Sequence, residues 1–426
     1  MMLVTIAVFF GFALLGMPLA FAIGTASLAG LWLADMNLSI LPERMMYAVD
    51  SFPLMAIPFF MLAGELMVVG GAIDRIVGLA NSLIGRVRGG LAHVTVLSAM
   101  GLSAVSGTAV ATASALGSTL IPALEKSYDK RFGSGVVIAS ANLGPIIPPS
   151  AGMIVYAIMA GSSVSVSGLF LAGVVPGIVL ALAMMAYVSF VAKRRDYPLT
   201  GNPVSVRRVL HEGRRGFIIF LMPVVVVGGI VGGAFTATEG AAVAVVYALF
   251  IGFVVTRQLK LRHLPRALLR AAITSSVVGA LIAFASTVTF LFTIELIPLV
   301  LVELLQAITT DRYLFLLIIM IILAIIGMFI EANAAFIMLV PLFAPLAMQY
   351  GIDPLHFGFL FVLNIVIGSI TPPVGVLLFV ISGITRLPIG ALVVETWPYV
   401  VLQFAVLALC VVWPDLVLAL PRAFGL

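Results

Sequence analysis

The sequence predicts an all-α polytopic membrane protein, and three observations support this fold class. Hydrophobic residues make up 63% of the 426 residues and charged residues only 9%, whereas soluble domains carry about 25% charged residues. The apolar segments are continuous, as at 217–232, and do not alternate with polar residues as the strands of a membrane β-barrel do. The 40 glycines and 23 prolines suit membrane helices, where neighbouring helices satisfy the backbone groups that these residues free.

Apolar segments long enough to enter a membrane follow one another along the whole chain, given that a spanning helix needs about 20 apolar residues. They lie at 3–16, 18–34, 52–70, 91–122, 135–160, 168–192, 217–235, 239–256, 271–293, 313–348, 357–384 and 388–418. The first two are short, so they predict either two tilted helices or one long bent helix. The stretch 295–308, flanked by Glu295 and Glu303, predicts a helix that lies along the membrane interface.

Basic side chains predict which loops face the cytoplasm, because short loops rich in Lys and Arg stay on that side. Lys and Arg gather at 74–90, 125–131, 193–215 and 257–270. If the first two of these loops lie on one side, the segment 91–122 between them must enter and leave from that side as a re-entrant hairpin. By the same reasoning, 313–348 is expected to form a hairpin that enters from the opposite face.

The two halves of the chain carry the same features in the same order. GLSAVSGTAVA (101–111) precedes GPIIPPSAG (144–152) in the first half, and GMFIEANAAF (327–336) precedes GSITPPVG (368–375) in the second. Three apolar segments come before each hairpin, so each half makes an odd number of crossings and the halves have opposite orientations. The sequence therefore predicts an inverted-topology repeat, in which ion and substrate sites usually lie at the bilayer midplane.

The repeat divides the chain into two predicted units. The first, 1–192, contains scaffold helices, the hairpin 91–122 and a broken helix at 135–160, and the second, 217–426, contains scaffold helices, the hairpin 313–348 and a broken helix at 357–384. A basic cytoplasmic linker at 193–216 is expected to join them. Both termini are then predicted to face the periplasm.

The first hairpin carries small and hydroxyl-bearing residues at its expected tip. Serine hydroxyls and free carbonyls can replace the water shell of a sodium ion, so Ser103, Ser106 and Gly107 are predicted to bind a cation and Thr108 to contact the substrate. The alternative is a helix interface formed by small residues. The re-entrant topology favours a site, because non-helical backbone at membrane depth is tolerated only inside protein or along a wet cavity.

The segment 142–150 contains three prolines that must unwind a helix, since proline lacks an amide donor and clashes with the preceding turn. The freed carbonyls suit a cation, and Pro148 is the predicted cation contact. A new helix beginning near Ser150 would point its positive end into the break, which predicts that Asn142 and Ser150 contact an anionic substrate. A simple structural kink is the alternative, although one proline would suffice for it.

The second half offers the counterparts of these residues. The predicted cation contacts are Gly327, Glu331, Asn333, Gly368 and Thr371, and the predicted substrate contacts are Ala332 and Pro372. A charge at the position of Glu331, deep in apolar sequence, is costly and usually functional. It could neutralise a cation, carry a proton or hydrogen-bond the hairpin in its neutral form. Glu65 and Glu239 follow small residues and are interpreted as packing or interfacial residues.

Several classes of site have no counterpart in the sequence. The single cysteine, Cys410, excludes a disulfide framework and a cysteine metal site. The four histidines lack metal-ligand spacing, and no phosphate-binding loop or hydrolase signature occurs. We therefore expect neither an enzyme nor a bound cofactor, with sodium ions as the only metal.

Five motifs extend in order over nearly the whole chain: FPLMAIPFFMLAGELM (52–67), GLSAVSGTAVA (101–111), GPIIPPS (144–150), FIEANAAFIMLVPLFAPL (329–346) and GSITPPVG (368–375). Together they resemble the large membrane subunit of tripartite ATP-independent periplasmic (TRAP) transporters of dicarboxylate or sialic-acid type. One departure is at 236–240, TATEG, where the family commonly has a proline.

The resemblance implies an elevator-type transporter of the bacterial inner membrane that takes up a small organic anion by sodium symport. It also implies two protein partners: a small four-helix membrane subunit, expected as a separate chain, and a soluble periplasmic protein that delivers the substrate. No nucleic-acid partner is expected.

Two other functions fit the same features. A single-component sodium/anion symporter of related fold would work without a binding protein, and a channel or scaffold subunit would show no sodium-dependent accumulation. The substrate stays open among sialic acid, C4-dicarboxylates, keto acids and sugar acids.

Overall fold

The computed structural model describes residues 2–84, 86–200, 203 and 205–426. Seven helices of these residues are long and apolar enough to cross a membrane. The first half forms α1 (Met2–Leu14), α2 (Leu19–Leu33), α3 (Ile40–Val49), α4 (Ala56–Val69), α5 (Ala72–Ile84), α6 (Gly90–Ser106), α7 (Ala109–Leu124), α8 (Lys130–Ala141), α9 (Ala151–Ala160) and α10 (Val166–Arg194). The second half forms α11 (Val206–Val231), α12 (Ala237–Phe250), α13 (Leu264–Ile294), α14 (Ile297–Ile308), α15 (Arg312–Gly327), α16 (Ala332–Gln349), α17 (Pro354–Gly368), α18 (Val376–Thr385), α19 (Ile389–Val412) and α20 (Asp415–Ala423).

Short elements complete the chain. They are 3-10 turns at Phe52–Met55, Gly161–Ser163 and Leu261–His263, a π turn at Ile251–Val255 that continues α12, and the strands β1 (Val87–Arg88) and β2 (Leu199–Thr200). The strands pair antiparallel and tie the start of the first hairpin to the end of α10. An ion pair between Arg88 and Asp196 lies beside them.

The first two apolar segments form two helices, α1 and α2, which pack against each other. Pro18 is the N-cap residue immediately before α2, and it has no amide hydrogen with which to continue the preceding helix. The stretch 295–308 forms α14, which meets α15 at 118° and is therefore separate from the second hairpin. Its apolar residues Leu299, Val300 and Leu304 are exposed, although its place at the membrane interface stays a prediction.

Two segments read as basic loops are partly helical. Residues 74–90 contain most of α5, whose buried residues Ile73, Ile76 and Ala80 lie on one face. The predicted linker 193–216 contains the start of α11, and Arg207 and Arg208 belong to its first turns. These segments are predicted as loops because hydropathy identifies only the apolar part of a helix. The helical backbone extends beyond that part, into a region where arginine side chains can reach water.

Both predicted hairpins are present. The first consists of α6 and α7, which meet at Gly107 and Thr108, and the second consists of α15 and α16. Gly107 ends α6 with φ at 63°, a left-handed conformation that favours glycine. Thr108 begins α7, and its hydroxyl accepts a hydrogen bond from the amide of Ala111 at 3.3 Å.

Both predicted broken helices are also present. The first runs as α8, stops at Ala141 and resumes as α9, where the Ser150 hydroxyl accepts the Met153 amide at 3.3 Å. The second runs as α17, stops at Gly368 and resumes as α18 after Gly375. In each case the prolines occupy the non-helical segment between the two half-helices, as expected from their missing amide donors.

The two halves pack through matched pairs of helices. The second hairpin helix of each half contacts the resumed half-helix of the other, α7 with α18 and α16 with α9. The first half-helices pair in the same way, α8 with α19 and α17 with α10. This exchange follows from an inverted repeat, whereas the exact boundaries of the two predicted units stay a prediction. Large buried rings fill the shared core, among them Phe132, Phe170, Phe336, Phe361 and Tyr156.

Candidate functional site

The tip of the first hairpin packs directly on the first helix break. A Cβ atom at Gly107 would lie 2.9 Å from the Pro149 carbonyl oxygen and 3.3 Å from the Ala151 nitrogen, and one at Gly144 would lie 2.6 Å from the Thr108 carbonyl carbon. Only glycine permits such close backbone approach. The predicted residues Ser106, Gly107, Thr108, Pro148 and Ser150 thus belong to one junction of hairpin and break.

The hydroxyls at this first junction differ in their bonding. Ser106 bonds to Thr112 at 2.8 Å, and Thr112 donates to the Thr108 carbonyl at 2.9 Å. Ser103 is fully buried, and its hydroxyl has no hydrogen-bond partner in the described part of the chain. Buried polar groups are almost always paired, so the unpaired Ser103 hydroxyl is a candidate ion contact, as is the hydroxyl of Ser140 in the last turn of α8, which also lacks a partner among the described residues.

The tip of the second hairpin packs on the second break in the same manner. A Cβ at Gly327 would lie 3.2 Å from the Ile365 carbonyl oxygen and 3.4 Å from the Gly368 Cα, and one at Gly368 would overlap the Gly327 backbone. The two glycines are therefore in mutual backbone contact. Gly327 and Gly368, both predicted cation contacts, form the centre of this second junction.

Glu331 caps the helix that leaves the second hairpin tip. Its Oε2 accepts the amides of Asn333 and Ala334 at 2.9 and 3.2 Å, and its Oε1 accepts the Asn333 side-chain amide at 2.9 Å. A carboxylate is stabilised at a helix N-terminus. The structure shows that Glu331 hydrogen-bonds the hairpin tip, whereas the three roles predicted from the sequence, including hydrogen bonding in the neutral form, stay predictions.

The remaining predicted residues of the second half lie close to this junction in the chain without bonding to Glu331. The Thr371 hydroxyl is buried and donates to the Ile367 carbonyl at 2.8 Å, within its own helix end. Pro372 and Ala332 are half-buried. The hydrogen bonds of Glu331 and Asn333 stay within the hairpin tip, so the structure shows two groups of residues here and no direct bond between them.

Asn142 joins the two breaks. Its amide nitrogen donates to the Val366 carbonyl at 3.1 Å and to the Gln403 side-chain oxygen at 2.9 Å, and its oxygen accepts the Ser369 hydroxyl at 3.0 Å. Ser150 is engaged as well, since its hydroxyl donates to the Pro145 carbonyl at 2.7 Å. A substrate contact through these donors would first have to break bonds that hold the breaks together, so their substrate roles stay predictions.

Sequence reasoning missed Thr112, Ser369 and Gln403. Gln403 gave a signal, because it is a polar side chain inside the apolar segment 388–418. Ser369 lies within GSITPPVG and Thr112 one turn beyond Thr108, and neither pattern predicts a specific partner.

The two glutamates interpreted as structural have local partners. Glu239 forms a capping box with Thr236, accepting its amide at 2.8 Å while the Thr236 hydroxyl accepts the Glu239 amide at 3.2 Å. The cap forms without the family's usual proline. Glu65 pairs with Arg270 at 3.7 Å.

Two hairpins seated on two helix breaks, inside an inverted repeat of apolar helices, define the chain as a multi-span membrane transport protein. A family model described as "Tripartite ATP-independent periplasmic transporter, DctM component" matches residues 6–416. The chain belongs to this family, which confirms the resemblance, and the family is one of transporter permeases rather than enzymes.

Curated relatives agree with the family assignment, and a solved structure agrees with the fold. The C4-dicarboxylate TRAP transporter large permease protein DctM of Pseudomonas aeruginosa is 39% identical over 88% of each chain. The sialic acid TRAP transporter large permease protein SiaM of Vibrio cholerae is 36% identical over 97% of each chain. The crystal structure of the YdaH transporter of Alcanivorax borkumensis, described as having an unusual topology, has a TM-score of 0.65 over 97% of this chain and 98% of that chain. Its identity of 16% means that this likeness shows the fold alone.

Proposed function

We propose that this chain is the large membrane subunit of a sodium-driven importer of small organic anions in the bacterial inner membrane. The observation behind the proposal is the pair of junctions at which Gly107 meets Pro149 and Gly327 meets Gly368. Each junction gathers non-helical backbone inside the apolar chain. Such backbone is tolerated at membrane depth only where it is buried in protein or lines a water-filled cavity.

Sodium fits the chemistry of the two junctions. The half-helices α8 and α17 end there, and helix C-termini carry partial negative charge from free carbonyls. The first junction adds the unpaired hydroxyl of Ser103. Neutral oxygens and helix C-termini are the groups with which discontinuous membrane helices bind sodium.

An anionic substrate fits the opposite helix ends. Side chains cap the N-termini of α7, α9 and α16, namely Thr108, Ser150 and Glu331, whereas α18 begins at Gly375 without a side-chain cap. Pro373, in the segment that leads to this end, is exposed. The Leu377 amide in the first turn of α18 already donates to the Ser369 carbonyl at 3.1 Å, so the proposed carboxylate contact at this helix end is the Val376 amide.

The proposed substrate is a carboxylate, and the proposed partners are those of a tripartite system. The two curated relatives are named for C4-dicarboxylates and sialic acid, and both classes carry carboxylates. The family description specifies a tripartite periplasmic transporter. It supports a small four-helix membrane subunit and a soluble periplasmic binding protein as the other two components.

The movement that we propose is an elevator displacement of the hairpins and broken helices against α4, α12 and α13. Of these three helices, α4 packs on both α12 and α13. The first hairpin contacts this group closely, since a Cβ at Gly64 of α4 would lie 3.2 Å from the Ser106 Cα. Because Gly64 has no side chain, α4 presents only its backbone at this contact, and the tip of the first hairpin can slide past it.

The test is uptake of radiolabelled sialic acid, C4-dicarboxylates, keto acids and sugar acids into proteoliposomes. The vesicles contain this chain and its small membrane partner, with a candidate binding protein outside, and uptake is compared with and without an inward sodium gradient. Accumulation that requires all three proteins and sodium supports the proposal. Accumulation by this chain alone would establish a single-component symporter instead, and sodium-independent flux would establish a channel.

A further inference from the structure

Gln403 lies in α19, outside both hairpins and both breaks, and is fully buried. Its oxygen accepts a hydrogen bond from Asn142 at 2.9 Å, and its nitrogen donates to the Ala139 carbonyl at 3.3 Å. A buried amide is costly unless its polar atoms are paired. Both ends of the Gln403 amide bond to the last turn of α8, so this side chain fixes the end of that half-helix.

The same contacts continue into the other half of the molecule. Asn142 follows the last residue of α8, and Ser369 follows the last residue of α17. The Ser369 hydroxyl shares its proton between the Asn142 oxygen at 3.0 Å and the Val366 carbonyl at 2.7 Å, and Asn142 also donates to that carbonyl. The C-terminal ends of α8 and α17 therefore form one buried hydrogen-bonded unit.

This unit has a consequence for ion binding. Carbonyls at the two helix ends are the groups proposed to face sodium, and any shift of one end changes bonds to the other. Resting on the proposed sodium coupling, we infer that Gln403 is a positioning residue that links the two breaks. By holding Asn142, it makes cation binding at one break raise the affinity at the other.

The experiment measures equilibrium binding of radioactive sodium to the purified complex of this chain and its small membrane partner, so that no substrate is needed. The wild-type complex is expected to bind sodium with a Hill coefficient above one. In Gln403→Leu both hydrogen bonds are lost; the coefficient falls towards one, and half-saturation rises by about fivefold, which corresponds to the loss of about 1 kcal/mol from the bond that holds Asn142. A purely structural role would reduce the amount of folded complex without changing the coefficient.

Gln306→Leu is the matched control, because it makes the same change of side chain at an exposed position of α14. Ser369→Ala is a milder variant that removes only the hydroxyl from the other end of the unit. It is expected to lower the Hill coefficient as well, and the double variant is expected to shift half-saturation by less than the two single shifts combined, because both residues act through Asn142.

The outcomes separate the two proposals. A wild-type complex without saturable sodium binding overturns the proposed sodium coupling. Saturable but non-cooperative binding by the wild type overturns the role of Gln403 and leaves sodium coupling intact. A Hill coefficient unchanged in folded Gln403→Leu and Ser369→Ala, or lowered equally by Gln306→Leu, also overturns it.

Discussion

At the scale of single residues, the two hairpin tips solve different problems with their polar side chains. Ser103 keeps a buried hydroxyl that has no partner among the residues the structure describes, whereas the Glu331 carboxylate receives three hydrogen bonds. An unpaired buried hydroxyl lowers stability, whereas a satisfied cap raises it. The first residue therefore has a cost that ion binding would offset, and the second has a clear structural role.

Ser103→Ala tests the first residue. Removing the hydroxyl is expected to raise the sodium concentration for half-maximal uptake by about fivefold, as one lost contact of about 1 kcal/mol does. The sodium-free protein should unfold at the same temperature or higher, because an unpaired group is removed. Ser118→Ala, at an exposed position of the same hairpin, should change neither value. Unaltered sodium activation in both Ser103→Ala and Thr371→Ala would contradict both predicted ligands.

Glu331→Ala tests the cap of α16. Loss of the carboxylate leaves the Asn333 and Ala334 amides without their acceptor and is expected to cost about 1 kcal/mol of stability. Glu331→Asp should retain most of it, since aspartate also caps helices. Thermal unfolding of the purified protein in detergent is the measurement. Equal unfolding temperatures for the wild type and the alanine variant would show that the cap is unimportant.

At the scale of elements, each hairpin depends on backbone contact with a break. Gly107 combines a φ of 63° with close approach to the Pro149 carbonyl. Gly161 has a φ of 70°, but an added Cβ would have no atom of the described residues within 4 Å. An alanine substitution at Gly161 would therefore introduce backbone strain alone, whereas one at Gly107 would introduce both backbone strain and a steric clash.

Gly107→Ala is expected to abolish sodium-driven uptake, because its methyl group would push the hairpin tip off the break. Gly161→Ala places a side chain at φ 70° and ψ −148°, a region that glycine alone adopts readily, at a cost of about 1–3 kcal/mol, and should lower thermal stability while uptake continues. Uptake rates and unfolding temperatures of both variants provide the comparison. Normal uptake by Gly107→Ala would mean that the junction is not needed for transport.

At the scale of the whole molecule, contacts between the halves fix how the repeat closes. Arg195, which follows α10, holds Glu395 of α19 with both carboxylate oxygens at 3.0 and 3.1 Å. Burial alone would lower the pKa of the Arg195 guanidinium. Hydrogen bonds to Tyr197 and Glu395 raise this pKa by more than burial lowers it, so it lies above its usual range. The predicted cytoplasmic segment thereby ties one half to the other.

The membrane orientation is tested by cysteine labelling of intact cells in a Cys410→Ser background. The variant Arg207→Cys, in the basic segment, should react with a membrane-impermeant maleimide only after the cells are permeabilised, because basic loops stay in the cytoplasm. The variant Leu426→Cys should react without permeabilisation. The parent lacking added cysteines is the control for background labelling, and the reverse pattern would invert the predicted topology.

Local sequence determined the class of protein, the two hairpins and the two breaks. Continuous apolar segments specify membrane helices, and proline and glycine act on the backbone at their own positions, so their effects are visible in the sequence. Helices such as α5 were missed because their polar residues resemble those of a loop. The motifs at 329–346 and 368–375 indicate the family for the same reason, because each is a continuous stretch of sequence.

Only the tertiary structure decided what the site residues contact. Asn142 and Gln403 are 261 positions apart, and no local pattern records which distant carbonyl or amide a side chain meets. The sequence likewise predicted the same cation-binding role for Ser103 and Ser106. In the folded chain the Ser103 hydroxyl has no partner among the described residues, whereas the Ser106 hydroxyl hydrogen-bonds to Thr112. Hydrogen-bond partners are fixed by how the two halves close on each other, and for that reason they emerge only from the folded molecule.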